Sequence, residues 1–159
     1  MRKIIPLIAL FVTLSACDLG QPPVVSLPVF FVLIDETGYQ SSVFRSGGQF
    51  MMQFVIRNTS DKVLTVYRGD SGPDVIFKIT KEDSVIATSI DGYAFIQVPS
   101  VGKIAPLEAM HWEWVAPNTA ARTKKVVLSP GQYQASVYFR SIDNAEIKQP
   151  SAILFTVIP

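Results

Sequence analysis

The sequence predicts an all-β domain whose strands form an antiparallel sandwich or barrel. From about residue 28 onward, short segments of alternating apolar and polar residues are separated by Gly, Pro, Asn and Asp, a pattern typical of such sheets. Hydrophobic residues make up 48% and aromatic residues 11% of the 159 residues, so the chain has enough apolar surface to fold. No long stretch has helical periodicity, and residues 119–125 would form about one turn at most.

The clearest strand covers residues 49–58. Apolar and polar side chains alternate there with a period of two, and the apolar set is Phe50, Met52, Phe54 and Ile56. This alternation predicts a strand with one buried face. Residues 58–61, Asn-Thr-Ser-Asp, favour a turn, and residues 63–67 predict the next strand.

A hairpin is predicted in the middle of the chain. Residues 75–80 alternate between apolar and polar positions, and residues 85–87 are again apolar. Glu82 and Asp83 lie between these two segments and provide the short polar connection that a hairpin turn requires. We therefore expect two short antiparallel strands.

Four further segments complete the predicted sheet. Residues 93–98 and 110–115 are candidate strands, separated by a connecting stretch at residues 99–106. Residues 132–140 alternate with a clear period of two, and residues 153–157 form the last apolar segment. The C-terminal third therefore predicts two strands more firmly than the segments before it.

The first 17 residues have the features of a bacterial export signal. A positive start at residues 1–3 precedes 11 mostly apolar residues at 4–14, a segment shorter than the roughly 20 residues that span a bilayer. Residues 14–17, Leu-Ser-Ala-Cys, resemble the lipobox of bacterial lipoproteins. This resemblance implies cleavage between Ala16 and Cys17, and attachment of diacylglycerol to the thiol of Cys17.

The leader defines the expected organisation of the chain. We predict a signal peptide at residues 1–16, a lipidated, proline-rich tether at 17–28 and one β-sandwich at 29–159. Asp18 resembles the signal that retains some lipoproteins at the inner membrane, but the choice between inner and outer membrane stays open. The alternative is that Cys17 is a small buried hydrophobic residue.

Composition excludes several classes of site. The single Cys rules out an intrachain disulfide, and a zinc or iron–sulfur centre held by cysteines of this chain alone. The formal net charge is +1, and removal of Arg2 and Lys3 with the leader leaves 12 basic against 13 acidic residues. This near balance gives no electrostatic basis for nucleic-acid binding.

Residues near the C-terminus resemble a corner found in immunoglobulin-like domains. Leu128, Pro130, Gly131 and Tyr133 match the turn and strand at which a tyrosine hydroxyl bonds to nearby backbone. The implied architecture is an immunoglobulin-like antiparallel β-sandwich of about seven to nine strands.

Several features together resemble the BsuPI (intracellular proteinase inhibitor) family, over roughly residues 45–140. They are the strand into residues 58–60, the loop at 71–74, Tyr93 and Phe95, Leu107 and Glu108 before Trp112, and the turn at 130–133. The resemblance implies the same sandwich fold. It also implies inhibition of a protease by an exposed loop, at residues 68–74 or 116–125.

No catalytic residue, metal or cofactor is predicted. His111 is the single histidine and no Gly-x-Ser-x-Gly motif is present, so a serine triad has little support. We expect His111 to be an ordinary strand residue on the face opposite the tryptophans. Asp70 and Asp74 flank a glycine-containing loop, which would form either a calcium site or, as we expect, a solvated turn.

Two tryptophans and a basic group are the remaining candidates for interaction. Trp112 and Trp114 share one face of a strand, which either lies in the sandwich interior or forms an exposed patch for a partner or a sugar. Arg122, Lys124 and Lys125 would lie on a solvated loop or contact anionic lipid headgroups. The candidate interaction residues are Arg68, Asp70, Trp112, Trp114, Lys124 and Lys125.

The sequence therefore predicts a lipid-anchored, non-catalytic module of the bacterial cell envelope that binds another envelope protein. The N-terminal lipid would attach the protein to the membrane, and the domain would lie on the side that faces away from the cytoplasm. Inhibition of a protease is the alternative. A hydrolase that uses carboxylates is a third reading, which no residue spacing supports.

Overall fold

The computed structural model describes residues 25–68, 73–94, 100–118, 126–139 and 145–159. Twelve strands form in these ranges and no residue in them is helical, so the all-β prediction is confirmed. None of the described segments is a helix that could cross a membrane. The strands are β1 (Val25–Ser26), β2 (Val29–Ile34), β3 (Val43–Arg45), β4 (Phe50–Arg57), β5 (Leu64–Arg68), β6 (Val75–Lys81), β7 (Ser84–Thr88), β8 (Ser100–Ile104), β9 (Ala109–Ala116), β10 (Gly131–Phe139), β11 (Ala145–Glu146) and β12 (Ile153–Ile158).

Two larger sheets make up the sandwich. One has five strands in the order β3-β12-β10-β6-β7, and the other has three in the order β2-β4-β9. The two sheets together have eight strands, and the predicted number was seven to nine. Most pairs are antiparallel, whereas β3 pairs with β12, and β1 with β11, in parallel. β5 and β8 form a further antiparallel pair.

Aromatic side chains from both sheets meet in the core. Ring centroids lie 6.3 Å apart for Phe31 and Phe77, 5.9 Å for Phe54 and Phe139, and 5.2 Å for Phe50 and Phe155. In each pair one ring comes from the three-stranded sheet and the other from the five-stranded sheet. The predicted alternation explains this arrangement, because every second residue of β4 points inward and is buried.

The predicted corner near the C-terminus is present. The hydroxyl of Tyr133 donates a hydrogen bond to the backbone oxygen of Ser129 at 2.9 Å. The ring of Tyr133 is buried and stacks on Phe155, with centroids 5.5 Å apart. This is the contact that the resemblance to immunoglobulin-like domains implied.

A buried asparagine organises the junction between β4 and β5. Asn58 is fully buried, and its amide nitrogen donates to the backbone oxygens of Lys62, Ile104 and Ala105. Its amide oxygen accepts from the backbone nitrogen of Ser60 at 3.0 Å. The turn predicted here is therefore held by the side chain of Asn58, which also fixes the connection between β8 and β9.

The predicted hairpin is also confirmed. β6 and β7 are antiparallel neighbours, and the two connecting residues, Glu82 and Asp83, have φ angles of 48° and 63°. These left-handed conformations match the turn that joins twisted antiparallel strands with two residues.

Five strands were not predicted individually, namely β1, β2, β3, β8 and β11, and β8 contradicts a prediction. Residues 99–106 were expected to be a connecting stretch, but β8 lies within them and pairs with β5. Gly102 and Lys103 interrupt the apolar pattern of β8. A Cβ on Gly102 would lie at an ordinary van der Waals distance of 3.6 Å from Cβ of Val66, so the pairing with β5 does not require a glycine here.

Two predicted boundaries differ from those in the structure. Tyr93 and Ala94 lie outside any strand, and residues 95–98 of the strand predicted at 93–98 lie outside the described residues. Residues 25–28, assigned to the tether, include β1 and the buried Leu27.

Candidate functional site

A cleft lined by aromatic side chains opens between the two larger sheets. β7 and β9 are edge strands of their sheets in the described part of the chain, and the cleft lies where these two edges stand apart. It has a volume of about 230 Å³. We call it the aromatic cleft; its lining residues are Pro73, Val75, Phe77, Ser89, Ile90, Tyr93, Trp112, Glu113 and Trp114.

The two tryptophans of the chain form one wall. Trp114 is only 8% exposed, and its indole nitrogen donates to the backbone oxygen of Asn118 at 2.6 Å. Trp112 is half-buried and packs against Phe54 and Phe139, with centroid distances of 5.8 and 5.4 Å. Both tryptophans therefore face the interior of the sandwich, which confirms the first of the two alternatives. The alternative prediction of an exposed patch on the outer face is wrong.

The opposite wall comes from β6 and the residues after β7. The Phe77 ring lies parallel to that of Trp114 with centroids 6.5 Å apart. Ser89 extends the β6–β7 pairing, because its backbone nitrogen donates to the oxygen of Phe77 and its hydroxyl accepts from the nitrogen of Phe77. Tyr93 lies at the rim and is 55% exposed.

The edge of β9 presents backbone groups to the cleft. The backbone nitrogen of Arg57 donates to Pro28 on the β2 side, so the pair Arg57 and Ala109 is not hydrogen-bonded across β4 and β9. Because hydrogen-bonded and non-hydrogen-bonded pairs alternate in an antiparallel ladder, His111 and Glu113 direct their N–H and C=O groups away from β4. These groups lie along the open side of the sandwich.

The side chains of His111 and Glu113 point to the other face of β9. His111 is exposed on the outer face, as expected for an ordinary strand residue. One carboxylate oxygen of Glu113, Oε1, accepts from Nε2 of Gln53 at 2.8 Å. In the described ranges, the second oxygen, Oε2, makes no hydrogen bond.

The other sequence-derived candidates are not brought together. Arg68 is in β5, where its backbone pairs with Ser100, but its side chain lies outside the described residues. Ala16, Cys17, Asp70, Lys124 and Lys125 also lie outside them. Asp74 is buried rather than part of a solvated turn. Among the residues that the structure covers, no group of three or more His, Cys, Asp or Glu could hold a metal ion.

A second groove, of about 470 Å³, lies near the loop after β2. Its lining includes Asp35, whose carboxylate accepts from the hydroxyl of Thr37 at 2.6 Å and from the backbone nitrogens of Thr37 and Tyr39. The hydrogen bond from the Thr37 hydroxyl, followed by that from the Tyr39 backbone, lowers the pKa of the Asp35 carboxyl below its ordinary value. This carboxylate is therefore used to hold its own loop.

Sequence reasoning missed three residues of the aromatic cleft. Phe77 was assigned only to the alternating segment 75–80, Ser89 received no role, and Tyr93 was assigned only to the candidate strand 93–98 and to the family resemblance. The sequence carries no signal for their convergence, because it depends on which strands end as sheet edges. Alternation alone identified Trp112 and Trp114.

Comparisons with known proteins give little further information. No protein-family model and no curated protein matches the chain. One solved structure with a similar backbone is the Pseudomonas fluorescens alkylpurine DNA glycosylase AlkC bound to DNA containing an abasic site analog. The match covers 84% of this chain and 30% of that chain, with 11% sequence identity and a TM-score of 0.42.

Proposed function

We propose that this protein is a lipid-anchored, non-catalytic β-sandwich of the bacterial cell envelope that binds another envelope protein. The observation that supports binding is the aromatic cleft, in which two tryptophans and a half-exposed tyrosine line an opening between sheet edges. Tryptophan and tyrosine are enriched among the residues that dominate protein interfaces.

The size of the aromatic cleft favours a protein side chain as its occupant. Its volume of about 230 Å³ is below the roughly 300–1,000 Å³ of typical small-molecule sites. Anchor side chains that enter small pockets are a common source of affinity in protein interfaces. The cleft therefore suits one inserted side chain of a partner.

The lipid anchor supports a location in the envelope. Cleavage before Cys17 leaves eight residues before Val25, where the first described strand begins. Fully extended, this segment would reach roughly 28 Å. The domain would then remain close to the bilayer surface, and two or three acyl chains would make the attachment effectively permanent.

The anchor and the binding site are tested separately. Intact-mass spectrometry of membrane-extracted protein should give a chain that begins at Cys17 and carries lipid; a full-length, unmodified mass would contradict the anchor.

For binding, the full lipoprotein in non-ionic detergent should retain an envelope protein. The Tyr93→Ala variant should lose that protein, whereas Tyr138→Ala should keep it. Tyr138 is a matched control because it is 54% exposed on the outer face of β10, away from the cleft. Equal retention by both variants would contradict the proposed site.

A second candidate function is inhibition of a protease, which the resemblance to the BsuPI family supports. The inhibiting loop would be residues 68–74 or 116–125, most of which lie outside the described residues. The full-length protein, added in molar excess to a panel of proteases, should slow at least one of them. Unchanged rates for the whole panel would remove this candidate.

A further inference from the structure

We propose that the outer face of the three-stranded sheet rests on the lipid bilayer that holds the N-terminal anchor. We call it the outer apolar face; its apolar residues are Phe30, Val32, Ile34, Met51, Val55 and Val115. This inference rests on the lipid anchor of the proposed function and adds the orientation of the domain on the membrane. Three features carry it: the composition of the face, its size, and its position relative to the tether.

The strand register brings these residues together in neighbouring rows. Phe30 of β2 lies beside Val55 of β4, and Ile34 lies beside Met51, which in turn lies beside Val115 of β9. Phe30 is 56% and Val115 46% exposed. The two ends of the outer apolar face are therefore open to the surroundings of the domain.

β2 is apolar at every position. Its sequence is Val-Phe-Phe-Val-Leu-Ile, and Phe31 and Leu33 are the side chains that it buries in the core. A strand with one solvated face alternates between apolar and polar residues, whereas a continuous apolar run is typical of a strand that is covered on both faces. The composition of β2 therefore indicates that its outer side is also covered.

The outer face of the five-stranded sheet has a different composition. In its central strand, β10, the outward residues Gln132, Gln134 and Ser136 are polar. Thr80 and Lys78 of β6 lie beside Gln134 and Ser136. That face has the polar surface expected of a solvated sheet, so the composition distinguishes one side of the sandwich from the other.

The polar residues of the outer apolar face lie away from β2. Gln53 is in β4, and His111 and Glu113 are in β9 at the opposite edge of the sheet. Oε1 of Glu113 accepts a hydrogen bond from Nε2 of Gln53 at 2.8 Å. Because a carboxylate is costly in hydrocarbon, we expect the β2 edge to enter the bilayer surface and the β9 edge to stay among headgroups and water.

The size of the face favours a lipid surface over a protein. Three strands about 4.8 Å apart, with six residues each at about 3.4 Å per residue, cover roughly 300 Å². Stable protein interfaces bury about 800 Å² on each partner, so this face is too small to hold a second copy or another protein by itself. It needs to add only weak affinity for a bilayer that the lipid anchor already keeps within reach.

The tether leads to the same edge of the sheet. In the described part of the chain β2 is an edge strand, and only Leu27 and Pro28 separate it from β1. The eight residues at 17–24 reach at most roughly 28 Å, which exceeds the roughly 20 Å length of a six-residue strand. The lipid can therefore enter the bilayer beside the outer apolar face while this face lies on it.

A fluorophore placed on each outer face tests this orientation. Phe30→Cys and Tyr138→Cys are matched positions, because these side chains are 56% and 54% exposed on the outer faces of the two sheets. Cys17 is the single cysteine of the chain and its thiol would carry the lipid, so a bimane label reacts with the new cysteine. The full lipoproteins are reconstituted in vesicles of phosphatidylcholine with or without bromine on the acyl chains, since bromine quenches bimane only at close range.

Brominated vesicles should quench the label at position 30 at least threefold more strongly than the label at position 138. A label at Val115→Cys, the opposite corner of the face, should also be quenched more than at position 138. Addition of Val32→Glu should lower the quenching at position 30 about threefold, because it places a carboxylate in the middle of the contact. Equal quenching at positions 30 and 138, or no effect of Val32→Glu, would overturn the inference.

The outcomes separate this inference from the anchor on which it rests. Intact mass of the same samples shows whether Cys17 carries lipid; a chain without lipid would overturn both. A lipidated chain whose position 30 is not quenched would overturn the inference alone. Efficient cross-linking of two copies through cysteines at position 30 would assign the face to a second copy and would likewise overturn it.

Discussion

Two aromatic clusters lie between the same two sheets, one closed and one open. The closed cluster consists of Phe44, Phe50, Tyr133 and Phe155, all of them buried, with ring centroids 4.2–5.7 Å apart where they touch. The aromatic cleft also contains four aromatic residues, two of them tryptophans, but its Phe77 and Trp114 centroids are 6.5 Å apart and Tyr93 is half-exposed.

The difference follows from how each side of the sandwich is bridged. On the closed side, β3 pairs in parallel with β12 and leads directly into β4, so one short segment joins both sheets. The hydroxyl of Ser46 also donates to the backbone oxygen of Leu128 at 2.8 Å. On the open side, β7 and β9 end their sheets without a bridging strand among the described residues. Aromatic residues thus form a fully buried cluster on one side, whereas on the other side Trp112 and Tyr93 stay partly exposed.

The largest contrast is expected from truncating one ring on each side. Phe155→Ala should lower the free energy of unfolding by about 3–5 kcal/mol, because it leaves a cavity in the closed cluster. Tyr93→Ala should change it by about 0.5 kcal/mol or less, since this side chain is half-exposed. Urea denaturation of both variants measures the difference, and similar losses would show that the open side is part of the core.

Asn58 should have the next largest effect, because it fixes the connection that leads into β9 and so positions the cleft wall. Asn58→Ala should cost about 2–3 kcal/mol, since one buried and two partly buried backbone oxygens lose their donor. Asn118→Ala, at an exposed site bonded to Gln49, is the control and should cost less than about 1 kcal/mol. Equal costs in denaturant titrations would mean that the junction is not held by Asn58.

A smaller loss of stability is expected on the closed side when only the hydroxyl of Tyr133 is removed. Tyr133→Phe keeps the stacked ring and removes the bond to Ser129, so it should cost about 1 kcal/mol. Tyr138→Phe, on the outer face, should be close to neutral. Thermal or urea unfolding of the two variants separates the effect of the bond to Ser129 from the general effect of losing a hydroxyl. An unchanged free energy of unfolding in Tyr133→Phe would contradict a stabilising role for this bond.

The smallest effect concerns Asp35, in the loop that leads into the bridging strand β3. Because its pKa is lowered in the folded state, its contribution to stability is present above the unfolded-state pKa and is lost as pH falls through the lowered value. Asp35→Asn should therefore be less stable than the wild type at neutral pH, and the difference should vanish once the pH lies below the lowered pKa of Asp35. Asp61→Asn, in another exposed turn, is the control. A difference independent of pH would contradict this assignment.

The sequence predicted the elements better than their assembly. Period-two alternation located β4, β6 and β10 because burial of one sheet face imposes that period on the residues themselves. It missed β8, where Gly102 and Lys103 break the pattern and pairing with β5 decides the conformation. The buried role of Asn58 could not be predicted either, since a turn signal does not reveal that the side chain reaches two carbonyls of a distant segment as well as one in its own turn.

The candidate site was predicted only in part for a similar reason. Two tryptophans with a spacing of two had to share a face, and the interior alternative proved correct. The contribution of Phe77, Ser89 and Tyr93 could not be predicted, because it depends on the gap between two sheet edges. That gap is set by strand order, which a single sequence does not encode in any local pattern.

The central claim is that the open side of the sandwich is where a partner binds. It is tested most directly in living cells by replacing Tyr93, or Tyr138 as the control, with a photo-crosslinking amino acid in the full-length chain. Illumination should give a discrete protein adduct from position 93 and none from position 138. Adducts of equal yield from both positions, or none from position 93, would contradict the account.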